Sequence, residues 1–288
     1  MDEQRLTENR LALIGLTVLV VLTLVIFAFS FLGAGSIFSG DDENPQGNQA
    51  STDAGSDGQV TDREQLSSII AEVQTKMNNF QTLLDSPYLL PVGESQPLTE
   101  GYEVGETVLL KGSDTMKMEK AAGEKMNAFF AAAEKAGYAA TVTVAYRTEK
   151  QQKKAYDDAV ESFMNAGYPA ETARSMAASS VGSVNCSEHQ LGLAVDFSKK
   201  EMALLGADGR TFEEYLNDTM YKYGFILSYP AGKEKETEHD ANTVHYRYVG
   251  VEAAAEMREK QWTLPEYRDY LKTQIDYLKQ YVKSLEAK

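Results

Sequence analysis

Apolar and polar positions divide this chain into stretches of very different character. Residues 11–32 (LALIGLTVLVVLTLVIFAFSFL) carry no charge, and the uncharged run continues to Phe38. As a helix, residues 11–32 extend roughly 33 Å, enough to cross a hydrocarbon layer of about 30 Å. The pattern predicts a single transmembrane helix over 11–38 behind a short tail over 1–10. Gly33-Ala34-Gly35 has the small-x-small form of a signal cleavage site, but the run is longer than the roughly 7–15 apolar residues of a secretory signal. Arg5 and Arg10 precede the run and Asp41, Asp42 and Glu43 follow it. Basic residues stay on the cytoplasmic side, so the tail is expected inside and the bulk of the chain outside the cell membrane. Residues 39–61 are rich in Gly, Ser, Asp, Asn and Gln. Such a segment has too little apolar surface to fold and reads as a disordered linker.

From 62 to 86 the period becomes helical: Leu66, Ile69, Ile70, Val73, Met77, Phe80 and Leu84 fall on one face. This amphipathic helix either packs on the following domain or pairs with a neighbour. The domain spans 87–288. Its pattern predicts helices over 118–136, 149–166, 169–179, 212–223, 251–260 and 264–285. Gly137 and Gly224 act as stops, and Pro265 opens the last helix. Alternating or short apolar runs predict strands over 140–146, 193–197, 225–229 and 245–249. Helices outnumber strands without regular alternation. The expected class is therefore α+β: a small, mostly antiparallel sheet flanked by helices, preceded by the single N-terminal transmembrane helix.

Charge and cysteine content narrow the function. A formal charge of −15 leaves no general basic surface for nucleic acid. The one cysteine, Cys186, cannot form an internal disulfide. It lies three residues before His189 and reads as a small loop residue or, alternatively, a metal ligand.

Only three histidines occur, and two of them, His189 and His245, stand in unusually dense surroundings. In the strand after Gly192, Ala194 and Asp196 share one face and Val195 and Phe197 the other. In the last strand, His245 and Arg247 share a face. Antiparallel neighbours would set His245 beside Asp196, with His189 arriving from the loop bent at Gly192. Two imidazoles and one carboxylate make a three-ligand zinc site with one open position, the arrangement a hydrolytic metal needs.

The segments SEHQLGLAVDF, HYRYVG, YKYGFILSYPAGKE and AYRT followed by Gln152 closely resemble the zinc D-alanyl-D-alanine carboxypeptidase family. Its members include vancomycin-resistance-type D,D-carboxypeptidases and L,D-carboxypeptidases. The resemblance runs from about Leu89 to Leu285. It implies that His189, Asp196 and His245 bind Zn²⁺, and that Arg147 and Ser187, with Gln152 as a further candidate, hold the substrate's terminal carboxylate. It also implies that peptidoglycan stem peptides are the partners and that a terminal D-alanine is removed. A guanidinium suits that task because it presents a planar, two-pronged donor.

One position departs from the family pattern. The family places a glutamate three residues before the last histidine, as the general base, whereas this chain has Asn242. An amide accepts a hydrogen bond but cannot take a proton from water. Glu238, Asp240, Glu188 and His239 are the nearby groups able to replace it. Two readings follow: an anchored hydrolase with a substituted or missing base, or a degenerate protein that binds wall peptides without cutting them.

Overall fold

The computed structural model describes residues 57–287. The expected tail, the membrane helix and residues 39–56 of the expected linker lie outside them. Among the described residues no helix is long and apolar enough to cross a membrane.

The amphipathic helix, α1, runs Asp57–Leu84 and so begins before the expected residue 62. It packs lengthwise on the C-terminal helix of the chain. Val73, with Ile70, Met77 and Phe80, meets Leu278 and Val282 there, so packing on the domain is its observed use.

After a loop come β1 (Thr107–Leu109) and β2 (Lys117–Glu119), an antiparallel hairpin, and then α2 (Lys120–Lys135). Sequence periodicity predicts helix from 118. Instead Met118 pairs with Val108 in the hairpin, and the Glu119 side chain caps α2 by accepting from the Ala122 N–H. The backbone pairing and the cap together delay the helix start. Next are β3 (Val142–Val144), α3 (Glu149–Asn165), α4 (Ala170–Val181) and β4 (Ala194–Phe197). The chain continues with α5 (Phe212–Thr219), β5 (Phe225–Tyr229), a single turn α6 (Glu234–Thr237) and β6 (Asn242–Tyr248). It ends with α7 (Val251–Lys260) and α8 (Leu264–Glu286). Thr148, Thr211 and Thr263 each form a reciprocal capping box, with Gln151, Glu214 and Glu266, at the starts of α3, α5 and α8. These satisfy backbone N–H groups that a helix start otherwise leaves bare.

The main sheet has the order β3-β4-β6-β5, with every neighbouring pair antiparallel. The expected α+β class with a small antiparallel sheet is what forms. One face buries Val195, Phe197, Phe225, Tyr246 and Tyr248 against Met126, Phe129 and Phe130 of α2 and Phe212 and Leu216 of α5. Phe129 lies at the centre, its ring 6.0 Å from Phe197 and 5.6 Å from Tyr223. A second cluster joins Leu89 and Ile226 to Ala254 and Met257 of α7 and Tyr267 and Leu271 of α8. The sheet face opposite Phe197 and Tyr246 carries Asp196, His245 and Arg247.

Candidate metal centre and substrate cleft

Strand pairing sets the first two chemical groups. β4 and β6 align so that Asp196 stands directly across from His245, and Ala194 across from Arg247. His189 comes from a 3-10 turn over Glu188–Leu191 that ends at Gly192 with φ +70°. A Cβ at Gly192 would lie 3.1 Å from the Glu119 backbone nitrogen, which itself donates 2.8 Å to the Gly192 carbonyl. Only glycine tolerates that backbone angle and that approach together. The bend delivers the His189 ring against the sheet, 4.9 Å from the His245 ring and nearly perpendicular to it at 84°.

His189, Asp196 and His245 each offer one donor atom, and these atoms lie within 4.8 Å of one another. The Asp196 carboxylate divides its oxygens between the rings: Oδ1 is 2.8 Å from Nδ1 of His245 and Oδ2 is 3.4 Å from Nε2 of His189. A tetrahedral zinc ion with bonds of about 2.0–2.1 Å holds its donors roughly 3.3 Å apart, so these spacings need only small adjustment. Two nitrogens and one carboxylate oxygen are also the donor types a hydrolytic zinc takes. The residues present therefore fit the ion. Among the described residues Cys186 does not join this cluster.

The trio lies in a cleft of about 110 Å³ whose walls include Arg147, Ser180, Cys186, Ser187, Tyr229, His239 and Asn242. Arg147 follows β3, and its backbone N–H donates 3.1 Å to the His189 carbonyl, which ties its main chain to the turn that carries His189. Gln152 does not face the cleft. It is fully buried in α3, accepts from Arg147 Nη1 at 3.2 Å and donates to the Val181 and Gly182 carbonyls at 3.0 and 2.7 Å. Its nitrogen is anchored on those carbonyls while its oxygen orients Arg147.

The VanY family, D-alanyl-D-alanine carboxypeptidase, matches residues 115–251, a span that holds Arg147 and the whole trio. VanYB in complex with D-alanine-D-alanine is 30% identical with a TM-score of 0.57. The match covers 64% of this chain and 98% of that one. This chain belongs to the VanY family. A variant of the vancomycin-resistance D,D-pentapeptidase VanY in complex with Zn(II) is 31% identical with a TM-score of 0.56, over 63% of this chain and 99% of that one. A D-alanyl-D-alanine carboxypeptidase of Enterococcus faecalis is 31% identical over 179 residues, which is 62% of this chain and 65% of that protein. The VanY match thus includes the zinc-type donor set, while this chain covers just under two thirds of the enterococcal relative.

Behind the VanY trio sits a second, fully buried layer. Glu188 precedes His189 in the 3-10 turn and points inward beneath His245. Its Oε2 is 2.9 Å from His245 Nε2 and accepts from the Ser228 hydroxyl at 2.7 Å. Its Oε1 accepts from Arg247 Nη1 at 2.8 Å. Arg247 Nη2 donates in turn to the carbonyls of Tyr88 and Leu90. A carboxylate on Nε2 leaves Nδ1 as the ring's outward donor atom, fixing which nitrogen addresses a metal. The sequence shows Glu188 beside His189 but not this role, because neither period nor spacing reveals that a side chain turns inward under a neighbouring strand.

Electrostatics agree with the layering. Burial works against the charged form of Glu188, but Arg247 and His245 hold its carboxyl well below the usual carboxylate range. Asp196 is likewise held low, because His189 and His245 outweigh its burial. Burial lowers His245, yet Asp196 and Glu188 raise it to about 9. Burial lowers His189, and Asp196 only partly offsets this. His189 Nδ1 is buried without a hydrogen-bond partner among the described residues.

The other expected site residues fall in different places. Ser187 is buried in the cleft wall, beside Cys186. Burial and then Glu94 raise the Cys186 thiol to about 11. Asn242 opens β6 opposite Tyr229, and its Oδ1 accepts from the Val244 N–H at 3.3 Å. Glu238 adopts φ +56° and points away, its Oε2 accepting from the Ser95 N–H at 3.1 Å. Asp240 is exposed and accepts from the Ser179 hydroxyl at 2.6 Å. Tyr229 enters the cleft because the pairing of β5 with β6 shifts register between Leu227 and Tyr229. Sequence alternation carries no signal for such a shift.

Proposed function

We propose that this chain is a zinc carboxypeptidase that removes the C-terminal D-alanine of peptidoglycan stem peptides. In this reading it is held on the outer face of the cell membrane by its N-terminal apolar segment. One observation carries the catalytic part: a zinc-type donor trio and an arginine oriented by Gln152 share one small cleft. The E. faecalis carboxypeptidase and the VanYB complex support the substrate class. The anchor rests on the uncharged run over 11–38 and the basic residues before it.

His189, Asp196 and His245 would hold the zinc, which when bound supplies a Lewis acid able to polarise a peptide carbonyl and acidify water. The chain's own residues do the rest. Arg147 binds the free carboxylate of the terminal residue, since its guanidinium keeps donors free after Nη1 is taken by Gln152. Gln152 fixes the plane of that guanidinium, and the Ser187 hydroxyl adds a donor in the same wall. Glu188, locked by Arg247 and Ser228, holds His245 in the tautomer that presents Nδ1.

The test is to incubate the full chain, zinc-loaded, with stem pentapeptide ending in D-Ala-D-Ala and with stem tetrapeptide, and to measure released alanine. Release from one or both is expected. Arg147→Ala should raise KM far more than it lowers kcat. No release from either peptide, with bound zinc confirmed, rejects the enzyme reading. Binding of those peptides without release would favour the second reading, a wall-peptide-binding protein, which rests on the amide of Asn242 in the cleft wall.

A further inference from the structure

Hydrolysis of a peptide bond needs a group that takes a proton from water and returns one to the departing amine. The cleft wall restricts the choice. Among the described residues Asp196 is the one carboxylate lining it, and Asp196 is committed to the two imidazoles. Asn242 has no titrating group. Arg147 is a permanent cation. Cys186 and Tyr229 also line the wall, but a thiol and a phenol ordinarily keep their protons at neutral pH. Glu238 and Asp240 are engaged outside the cleft by Ser95 and Ser179, and Glu188 is sealed behind His245. His239 remains.

Resting on the carboxypeptidase reading above, we propose that His239 is the proton-transferring catalytic residue of this cleft, the general base and then the general acid of the hydrolysis. Three observations place it. Its ring stacks on Tyr229 with centroids 3.9 Å apart and planes within 8°, and the other neighbour of Tyr229 is the ring of His245, at 4.7 Å. His239 and His245 thus flank the same phenol, and both line the cleft that holds the trio. Its Nδ1 lies 2.8 Å from the Asp240 carbonyl. A carbonyl can only accept, so Nδ1 carries the hydrogen and Nε2 keeps its lone pair. The turn that presents it is pinned to α4, where the Asp240 N–H donates 2.9 Å to the Ser179 carbonyl and the Asp240 carboxylate accepts from the Ser179 hydroxyl. Burial lowers this half-buried imidazole and that carbonyl only partly restores it, which favours the form whose Nε2 lone pair is free.

The step balances without a co-reactant. As the water oxygen bonds to the peptide carbonyl carbon, its proton passes to His239 Nε2. As the C–N bond breaks, that proton passes to the leaving amine. The second water proton, left on the new carboxyl group, also passes to the amine, so the products are a shortened peptide carboxylate and free alanine as its ammonium, and the imidazole ends neutral.

The experiment compares the full chain with His239→Ala, His239→Gln and Glu238→Gln, all zinc-loaded. It measures kcat and KM for alanine release and zinc uptake by calorimetry. Both His239 variants should lose about 10²–10⁴-fold in kcat, with KM and zinc affinity near wild type. Added free imidazole should recover part of the kcat of His239→Ala, which has room for it, and none in His239→Gln. Retention of wild-type kcat in both His239 variants overturns the proposal. So does loss of zinc uptake in step with kcat, which would make His239 part of the metal's support. Loss of turnover in Glu238→Gln with His239→Ala still active assigns the proton to the carboxylate and overturns it too. A zinc-loaded wild type that releases nothing rejects the carboxypeptidase reading and this proposal together, whereas active wild type beside unimpaired His239 variants rejects this proposal alone.

Discussion

Glu188 shows how much chemistry a single buried side chain can organise. It lies 5% exposed between a histidine and a fully buried arginine. Both of its oxygens are occupied, so it links the Arg247 charge to the ring that addresses the metal. Replacing it by Gln keeps the shape but removes the charge that fixes the tautomer. Zinc affinity should fall by about 10–100-fold, the usual cost of losing such an outer partner, as read by competition with a chromophoric chelator. Glu188→Ala should also destabilise the fold by about 3–5 kcal/mol, since Arg247 would be left buried without its counter-charge; urea denaturation measures this. Cys186 makes the opposite point. Its thiol is raised from an ordinary 9.0 to about 11. Thiolate is the nucleophile, so raising the pKa depletes it at pH 8. Alkylation of the native chain should run roughly a hundredfold slower than that of the urea-unfolded chain, followed by mass spectrometry. Equal rates would contradict the burial seen for this thiol.

At the level of elements, the ends of helices are set by local chemistry and the ends of strands by partners. Thr263 is buried and caps α8 in a reciprocal box with Glu266, which also pairs with Lys233 beside α6. Thr263→Ala should cost about 1 kcal/mol, the usual worth of such a cap, measured by chemical denaturation. The helices over 149–165 and 251–260 end within a residue of the sequence expectation because their caps and stops are written locally. The strands behave differently. β6 begins at Asn242, not 245, because the register shift against β5 recruits three more residues. The hairpin of β1 and β2 escapes the sequence pattern altogether, since three-residue strands carry too little alternation to show a period. The turn over Glu234–Thr237 forms in a stretch whose charges read as a loop. It matters because it sets the approach to His239.

For the molecule as a whole, binding and stability should be linked. An ion that binds only the assembled trio stabilises the fold, by about 4 kcal/mol when free zinc exceeds its dissociation constant a thousandfold. Chelation should therefore lower Tm and abolish alanine release, and zinc should restore both; an unchanged Tm would mean that the trio holds no ion. The aromatic core should matter equally. Phe129→Ala should cost about 3–5 kcal/mol, because it empties the space among Phe197, Tyr215 and Tyr223. The sequence by itself determined the α+β class, most helix limits and the antiparallel pairing of Asp196 with His245. Each of these follows from a repeating period, a cap or a contiguous motif, all of which are local. Tertiary structure alone decided that Gln152 serves Arg147, that Glu188 lies beneath His245, that Glu238 turns outward to Ser95, and that Tyr229 and His239 complete the cleft wall. Those outcomes depend on which side chain meets which, across 57 residues for Glu188 with His245 and 143 for Glu238 with Ser95, and on a register shift and a buried ion pair. Only the closed fold brings such partners within reach.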